Sequence, residues 1–326
     1  MNKKHFSIAI IIIFYFSGCK SPEKKNPDIY VSATEFNGYN SNSIAKYWKN
    51  SAEVLLSDGT SNARANSIIV DGTDVYVAGS KSNDPNEPGT FALYWKNEKP
   101  VLLSTGIGGI ITSIFVSNEN VFAAGAIVGA TYWKNGSAVE LTSNISSLAN
   151  AIFAVQNDVY VAGYEINARG IYLAKYWKNG VGTSLTDGSK NAIAKGIAVN
   201  GTDVFIVGEE DGFAVLWKNG QSTKLTEKKG VAEAVFVTAD NNLYIVGSEL
   251  GSNNFYRVAK FWKNGVKIDL TDGTSDANAT CLYVYYNDIY IGGSEGASIV
   301  YWKNGMPNTL QKGNQFINAA TSIYVK

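Results

Sequence analysis

The chain has 326 residues, 45% of them hydrophobic, and its 28 basic residues balance 28 acidic ones. That supplies enough apolar surface for a packed core and leaves no electrostatic footprint for a nucleic-acid partner. One histidine, His5, and two cysteines, Cys19 and Cys281, make up the whole imidazole and thiol inventory.

Residues 1–19 read as a secretion signal: Lys3 and Lys4, an apolar stretch from Phe6 to Phe16, then Ser17-Gly18-Cys19. The apolar stretch is too short for a spanning helix with ordinary flanks. Small residues directly before Cys19 resemble the lipobox of bacterial lipoproteins, a resemblance that implies acylation of Cys19 and a mature chain beginning there; an ordinary cleaved signal is the alternative. Residues 20–27, KSPEKKNP, form a polar, proline-bearing tether that reaches at most ~29 Å at ~3.6 Å per residue. The lipid bilayer is then a partner through acylated Cys19, with no crossing helix. Lys20 rather than Asp after the cysteine points to the outer membrane under the enterobacterial sorting rule, facing either the periplasm or the cell surface.

Removal of the signal takes away Lys3, Lys4 and His5, so 26 basic residues face 28 acidic ones and no histidine remains. A Ser-His-Asp triad, a His-ligated zinc site and a haem axial histidine are thereby excluded. With Cys19 acylated, Cys281 has no partner for an intrachain disulfide. No glycine-rich phosphate loop joins a strand to a helix, and Asp58, Asp187 and Asp272 of the Asp-Gly-Thr/Ser sequences belong to turns without calcium-loop spacing. No cofactor is implied.

From Asp28 onward the chain repeats. Trp-Lys-Asn occurs seven times and accounts for every tryptophan: Trp48, Trp95, Trp133, Trp177, Trp217, Trp262 and Trp302, spaced 38 to 47 residues apart. That period holds four short strands with their turns. The first segment reads Ala-x-x-Ile-x-Val, as in Ala65–Val70; the second Asp-Val-Tyr-Val-Ala-Gly, as in Asp74–Gly79; the third carries the Trp-Lys-Asn; the fourth runs to a leucine such as Leu103 or Leu185. Each is rich in β-branched and aromatic residues and bounded by Gly, Asn, Asp and Ser. The reading is an all-β, seven-bladed β-propeller of four-stranded blades over residues 28–326.

Asn-Gly joins the third and fourth strands at five places, from Asn135-Gly136 to Asn304-Gly305, and is a strong hairpin signal because a type I′ turn needs positive φ at both central residues. The first and second strands are joined by equally short turns such as Asp71-Gly72-Thr73. Alternate turns of an up-and-down blade emerge at opposite ends, so the tight turns share one face of the disc and the variable loops share the other, which becomes the candidate binding face. The chain opens with a second-type segment at Asp28 and stops after a first-type segment at Lys326. Joined, they make the seventh blade, one strand from the C-terminus beside three from the N-terminus, and remove the open edge.

The order of segments resembles kelch-type propellers, and A-x-x-W-K-N-G followed by leucine resembles the HAF-type extracellular repeats of bacterial secreted proteins. The kelch resemblance implies an innermost first strand and a third strand carrying Trp; the kelch double glycine appears only at Gly292-Gly293. Neither family implies one activity.

Seven tryptophans at one position are expected between blades, with an aromatic carbohydrate platform as the alternative. The following lysines, Lys49 through Lys303, are expected as a solvated rim. Cys281 takes a small-residue position matching Ser67, Ser113 and Ser322, hence a buried structural thiol. Two residues beyond the close of the second strand stands a glutamate in five blades: Glu35, Glu165, Glu210, Glu249 and Glu295; Lys81 and Ile127 replace it in the others. These carboxylates either line a negative mouth for a cation or a hydroxyl-rich ligand, or pair within their own blades. Unshared inserts run over Thr34–Ser43, Ser80–Thr90, Tyr164–Tyr172 and Ser248–Arg257, the last with Asn253, Asn254, Tyr256 and Arg257 able to hold a sugar or peptide, or simply composed as an ordinary loop. The functional reading is a membrane-anchored binding module for a glycan, peptide or envelope protein. The alternatives are a carbohydrate-active enzyme using paired carboxylates, and a purely structural envelope partner.

Overall fold

The structure, a computed structural model, describes residues 26–36, 42–82, 89–104, 108–313 and 319–326. The expected signal, Cys19 and most of the expected tether lie outside the described residues, as do the middle parts of the Thr34–Ser43 and Ser80–Thr90 inserts. All regular structure described is β: twenty-eight strands, β1 to β28 in chain order, form seven four-stranded antiparallel sheets.

Blade 1 is built across the chain ends, in the order β28 (Ala320–Val325), β1 (Ile29–Glu35), β2 (Ile44–Lys49) and β3 (Ala52–Leu55). The one-plus-three closure expected from the sequence is therefore the observed one. Asp28 and Lys326 exchange backbone hydrogen bonds of 2.8 and 2.9 Å, fastening the two segments at the tight-turn face. Blades 2 to 7 each use four consecutive strands. Their first strands are β4 (Ala63–Asp71), β8 (Ile110–Ser117), β12 (Ser147–Val155), β16 (Ala192–Asn200), β20 (Gly230–Val237) and β24 (Ala277–Tyr285). Together with β28, each touches the next around a closed ring, so the first strand is innermost and encloses the central channel.

The tryptophans hold the blades together. All seven are between 0% and 3% exposed, which removes the carbohydrate-platform reading. Each packs across an interface: Trp95 against Tyr30 and Tyr47 of blade 1, Trp302 against Val246 and Phe261 of blade 6, Trp48 against Cys281 and Tyr290 of blade 7. Losing one such side chain costs about 3–5 kcal/mol.

The lysine and asparagine after each tryptophan serve the same blade. The asparagine of every Trp-Lys-Asn has φ between 48° and 52°. In Asn50, Asn97, Asn135, Asn179, Asn219, Asn264 and Asn304, Oδ1 accepts the backbone N–H that opens the second strand, at 2.8–2.9 Å. Nδ2 donates to the residue before it, for instance Asp158 at 2.8 Å or Asn242 at 2.8 Å. The lysines lie 5.1–5.6 Å above the second-strand ring of their own blade, from Tyr30 to Tyr290. Five also pair with the opening aspartate, as Lys178 does with Asp158 at 2.8 Å. The expected solvated rim is thus a set of clamps between hairpin tip and second strand. In blades 1 and 2, Ser51 and Glu98 take the left-handed position that glycine holds elsewhere, at φ 70° and 67°.

Candidate functional site

A β-bulge interrupts every innermost strand near the variable-loop face. In blades 2 to 7 it sits where the second strand closes in glycine: a Cβ on Gly79 or Gly163 would come within 2.0 Å of the carbonyl oxygen of Arg64 or Leu148, so glycine is sterically required at these positions. The unpaired bulge residue turns its side chain toward the next blade. Asn66 donates to the Ile111 carbonyl (2.6 Å), Thr112 to Ala149 (2.6 Å) and Asn150 to Ala194 (2.8 Å); Thr280 donates to Ala320, and Thr321 to Ala65 (2.8 Å). These bonds form a belt around the channel, stitching each blade to the next.

The belt changes chemistry at blades 5 and 6. Their bulge residues are Lys195 and Glu233, and Lys195 Nζ reaches both Glu233 oxygens at 3.1 and 3.2 Å instead of a backbone carbonyl. Glu233, a carboxylate, has no proton to give to blade 7. A second position departs in the same sector. The residue after the closing glycine is Ser80, Ala126, Ser248 and Ser294 in blades 2, 3, 6 and 7, but Tyr164 in blade 4 and Glu209 in blade 5. Together Asn150, Tyr164, Ile193, Lys195, Glu209 and Glu233 line a recess of about 320 Å³ at the channel mouth. Tyr164 also packs on Tyr172 at 5.1 Å between ring centroids, and burial raises its hydroxyl pKa above the ordinary value. Glu209 has no ion-pair partner among the described residues.

The repeated glutamates divide into two groups. Glu35 pairs with Lys46, Glu165 with Lys175 at 3.0 Å, and Glu249 with Lys260 at 3.6 Å and Lys267 at 3.0 Å. The first lysine of each set belongs to an Ala-Lys-Tyr/Phe-Trp sequence on the third strand of the same blade. Glu249 also accepts the backbone N–H groups of Glu227 (2.8 Å) and Lys228 (3.1 Å). Burial pushes its pKa up, but these N–H groups and Lys267 outweigh that and hold it below the usual carboxylate value. In blades 5 and 7 the lysine position is Val215 or Val300, and Glu210 and Glu295 have no ion-pair partner among the described residues. Among those residues no group of three or more acidic, histidine or cysteine side chains is placed to hold a metal ion.

The polar groups of residues 251–257 bond within the loop and to the segments beside it. Asn253 Oδ1 accepts from the Phe255 and Tyr256 N–H groups at 3.0 and 3.2 Å, and Asn254, at φ 55°, accepts from Lys228 Nζ at 3.1 Å. Arg257 bonds through its backbone N–H to Asp276 (2.9 Å) and through Nη1 to Ser248 (3.3 Å). Phe255, not singled out from the sequence, is the exposed aromatic here, with Tyr256 edge-on behind it at 4.9 Å. Of the recess residues, only Tyr164 was marked in the sequence, as one end of the Tyr164–Tyr172 insert. The signal that carries them is a charge or large ring at positions where other repeats keep a small neutral residue, and it emerges only once the bulge aligns the repeats.

No family model matches the chain, and no curated protein matches it in sequence. Solved structures do match in shape. A Mycobacterium tuberculosis puromycin-hydrolyzing peptidase aligns with a TM-score of 0.57 at 12% identity over 90% of this chain and 54% of its own; the chain spans about half the length of that peptidase. The β-propeller domain of the Trilobed protease from Pyrococcus furiosus, described as an open velcro topology, gives 0.53 at 12% identity over 89% of this chain and 98% of its own. The WD40 β-propeller domain of Doa1 gives 0.50 at 12% identity over 90% and 89%. At that identity the likeness establishes the fold: a seven-bladed β-propeller.

Proposed function

We propose that this chain is an extracytoplasmic binding module, anchored through acylated Cys19 at the outer membrane, that presents its variable-loop face to a glycan, peptide or envelope-protein ligand. The observation that carries the reading is the entry point of the tether. Strand β1 starts at the tight-turn face, where Asp28 pairs with Lys326; a tether ending there leaves the disc from that face, opposite the channel mouth, Glu210 and Glu295, and this supports an outward variable-loop face. On the tether-side face, five of the seven Trp-Lys-Asn lysines are paired with aspartates. On the outward face, carboxylates without an in-blade lysine remain to meet a ligand.

Burial pushes the Cys281 thiol up to about 12, so it stays silent to maleimide and single-cysteine labelling is clean. On membranes carrying the protein, Asn253→Cys should label readily with a bulky maleimide and Val181→Cys, at a tight-turn tip, slowly. Equal labelling overturns the orientation, and Cys19→Ala protein that stays with membranes in high salt overturns the anchor. A second reading, glycoside hydrolysis, is favoured by one observation, that Glu209 and Glu233 share a recess. Turnover of chromogenic glycosides that Glu209→Gln abolishes would replace binding by catalysis.

A further inference from the structure

We infer that the recess at the channel mouth between blades 4 and 6 is a binding site for a neutral saccharide; the inference rests on the binding-module reading and gives it a place and a ligand class. An amide or hydroxyl at a bulge bonds the next blade's carbonyl directly, and five blades use that device. The Lys195–Glu233 pair replaces it with side chains 29% and 26% exposed. An ion pair that open to water contributes no more than the hydrogen bond it displaces. Stability of the belt therefore gives no reason for the exchange, and Tyr164 and Glu209 break the small-residue pattern in the same place.

The chemistry of the lining selects the ligand. Lys195 shares the recess with two carboxylates, so an anion meets Glu209 and Glu233, and a strong cation meets the ammonium. A neutral molecule that both donates and accepts satisfies both. Sugar hydroxyls donate to the carboxylates and accept from Lys195 and the Asn150 amide, and charge-assisted bonds of this type are the stronger ones. Tyr164 adds a flat aromatic wall, and Ile193 a small apolar one, for the C–H face of a sugar ring. The recess, about 320 Å³, lies within the range of small-molecule sites.

The full chain, purified in a zwitterionic detergent free of sugar head groups, would be titrated calorimetrically with maltotriose, cellotriose and N-acetylchitotriose, with spermidine and citrate as charged probes. The expected result is binding of at least one trisaccharide and of neither charged probe. Glu209→Gln, which breaks no ion pair, should weaken that binding about tenfold or more, the effect of losing one charge-assisted hydrogen bond. Lys195→Met, checked for folding by its melting curve, should weaken the trisaccharide and admit spermidine, because two carboxylates then stand alone. Preference of the native chain for spermidine or citrate overturns the inference, and so does binding of none of the three sugars. A trisaccharide that binds undisturbed by Glu209→Gln but is lost in Tyr256→Ala also overturns it, while leaving the binding-module reading intact.

Discussion

Opposite Cys281 on the neighbouring strand stands Gly292, and a Cβ there would lie 2.6 Å from Sγ. The same pair of positions holds Ser67 and Ala78 in blade 2, Ala151 and Ala162 in blade 4, and Gly196 and Val207 in blade 5, so volume on one strand is traded against volume on the other. The double glycine at Gly292-Gly293 is accounted for by this packing: a Cβ on Gly293 would meet the Asn278 carbonyl, and Gly292 makes room for sulfur. Gly292→Ala should destabilise by about 1–3 kcal/mol through overpacking, and Cys281→Ala in the same chain should recover most of it. Denaturant unfolding of the two single variants and the double one measures the coupling; independent, additive effects would refute the contact. The small-residue position of Cys281 was legible from the repeat alone. Its partner was not, because a cross-strand neighbour is defined by register, and the bulge shifts that register by one.

Within a blade, the unit that repeats is the pairing of an Asp/Asn-x-Tyr/Phe phrase with Trp-Lys-Asn, two phrases 13 to 21 residues apart brought side by side. Lys96 holds the Asp74 carboxyl below its ordinary 3.8, with Asn97 assisting; Lys178 and Asn179 do the same for Asp158, and Lys218 and Asn219 for Asp203. A carboxyl whose folded pKa is depressed favours the folded state above its unfolded value and loses that contribution as pH falls toward the folded one. Thermal stability should therefore be nearly level from neutral pH down to about pH 4 and fall below it. The fall should be shallower in an Asp74→Asn, Asp158→Asn, Asp203→Asn triple variant; an unchanged acid slope would show that the clamps do not couple to folding. The strands, hairpins and buried tryptophans of this unit could be read from residue type and period. The clamps could not, since a lysine beside a hairpin has the same composition whether it is solvated or lies over a tyrosine.

The whole ring depends on blade 1, where β1 bonds β28 on one side and β2 on the other. Deleting residues 316–326 removes β28, the belt bond from Thr321 to Ala65, and the packing of Ile323 beneath Trp48. The loss should far exceed the ~1 kcal/mol of an ordinary point change, and a truncated chain melting within a few degrees of the intact one would refute ring closure as the source of stability. At this scale the sequence carried the blade count, the closure and the two unlike faces, because each follows from the order of segments. The recess stayed hidden because it is made by three blades together, and its residues are conspicuous only against their equivalents around the channel. The closure has a mechanical side as well. A pull on the segment preceding Asp28 runs along the axis of β1, and the ladders to β28 and β2 flank it on both sides. The load falls on all of those hydrogen bonds at once, in shear, so none can be peeled away singly, and a disc pulled from that end resists extraction through the strand that locks its ends together.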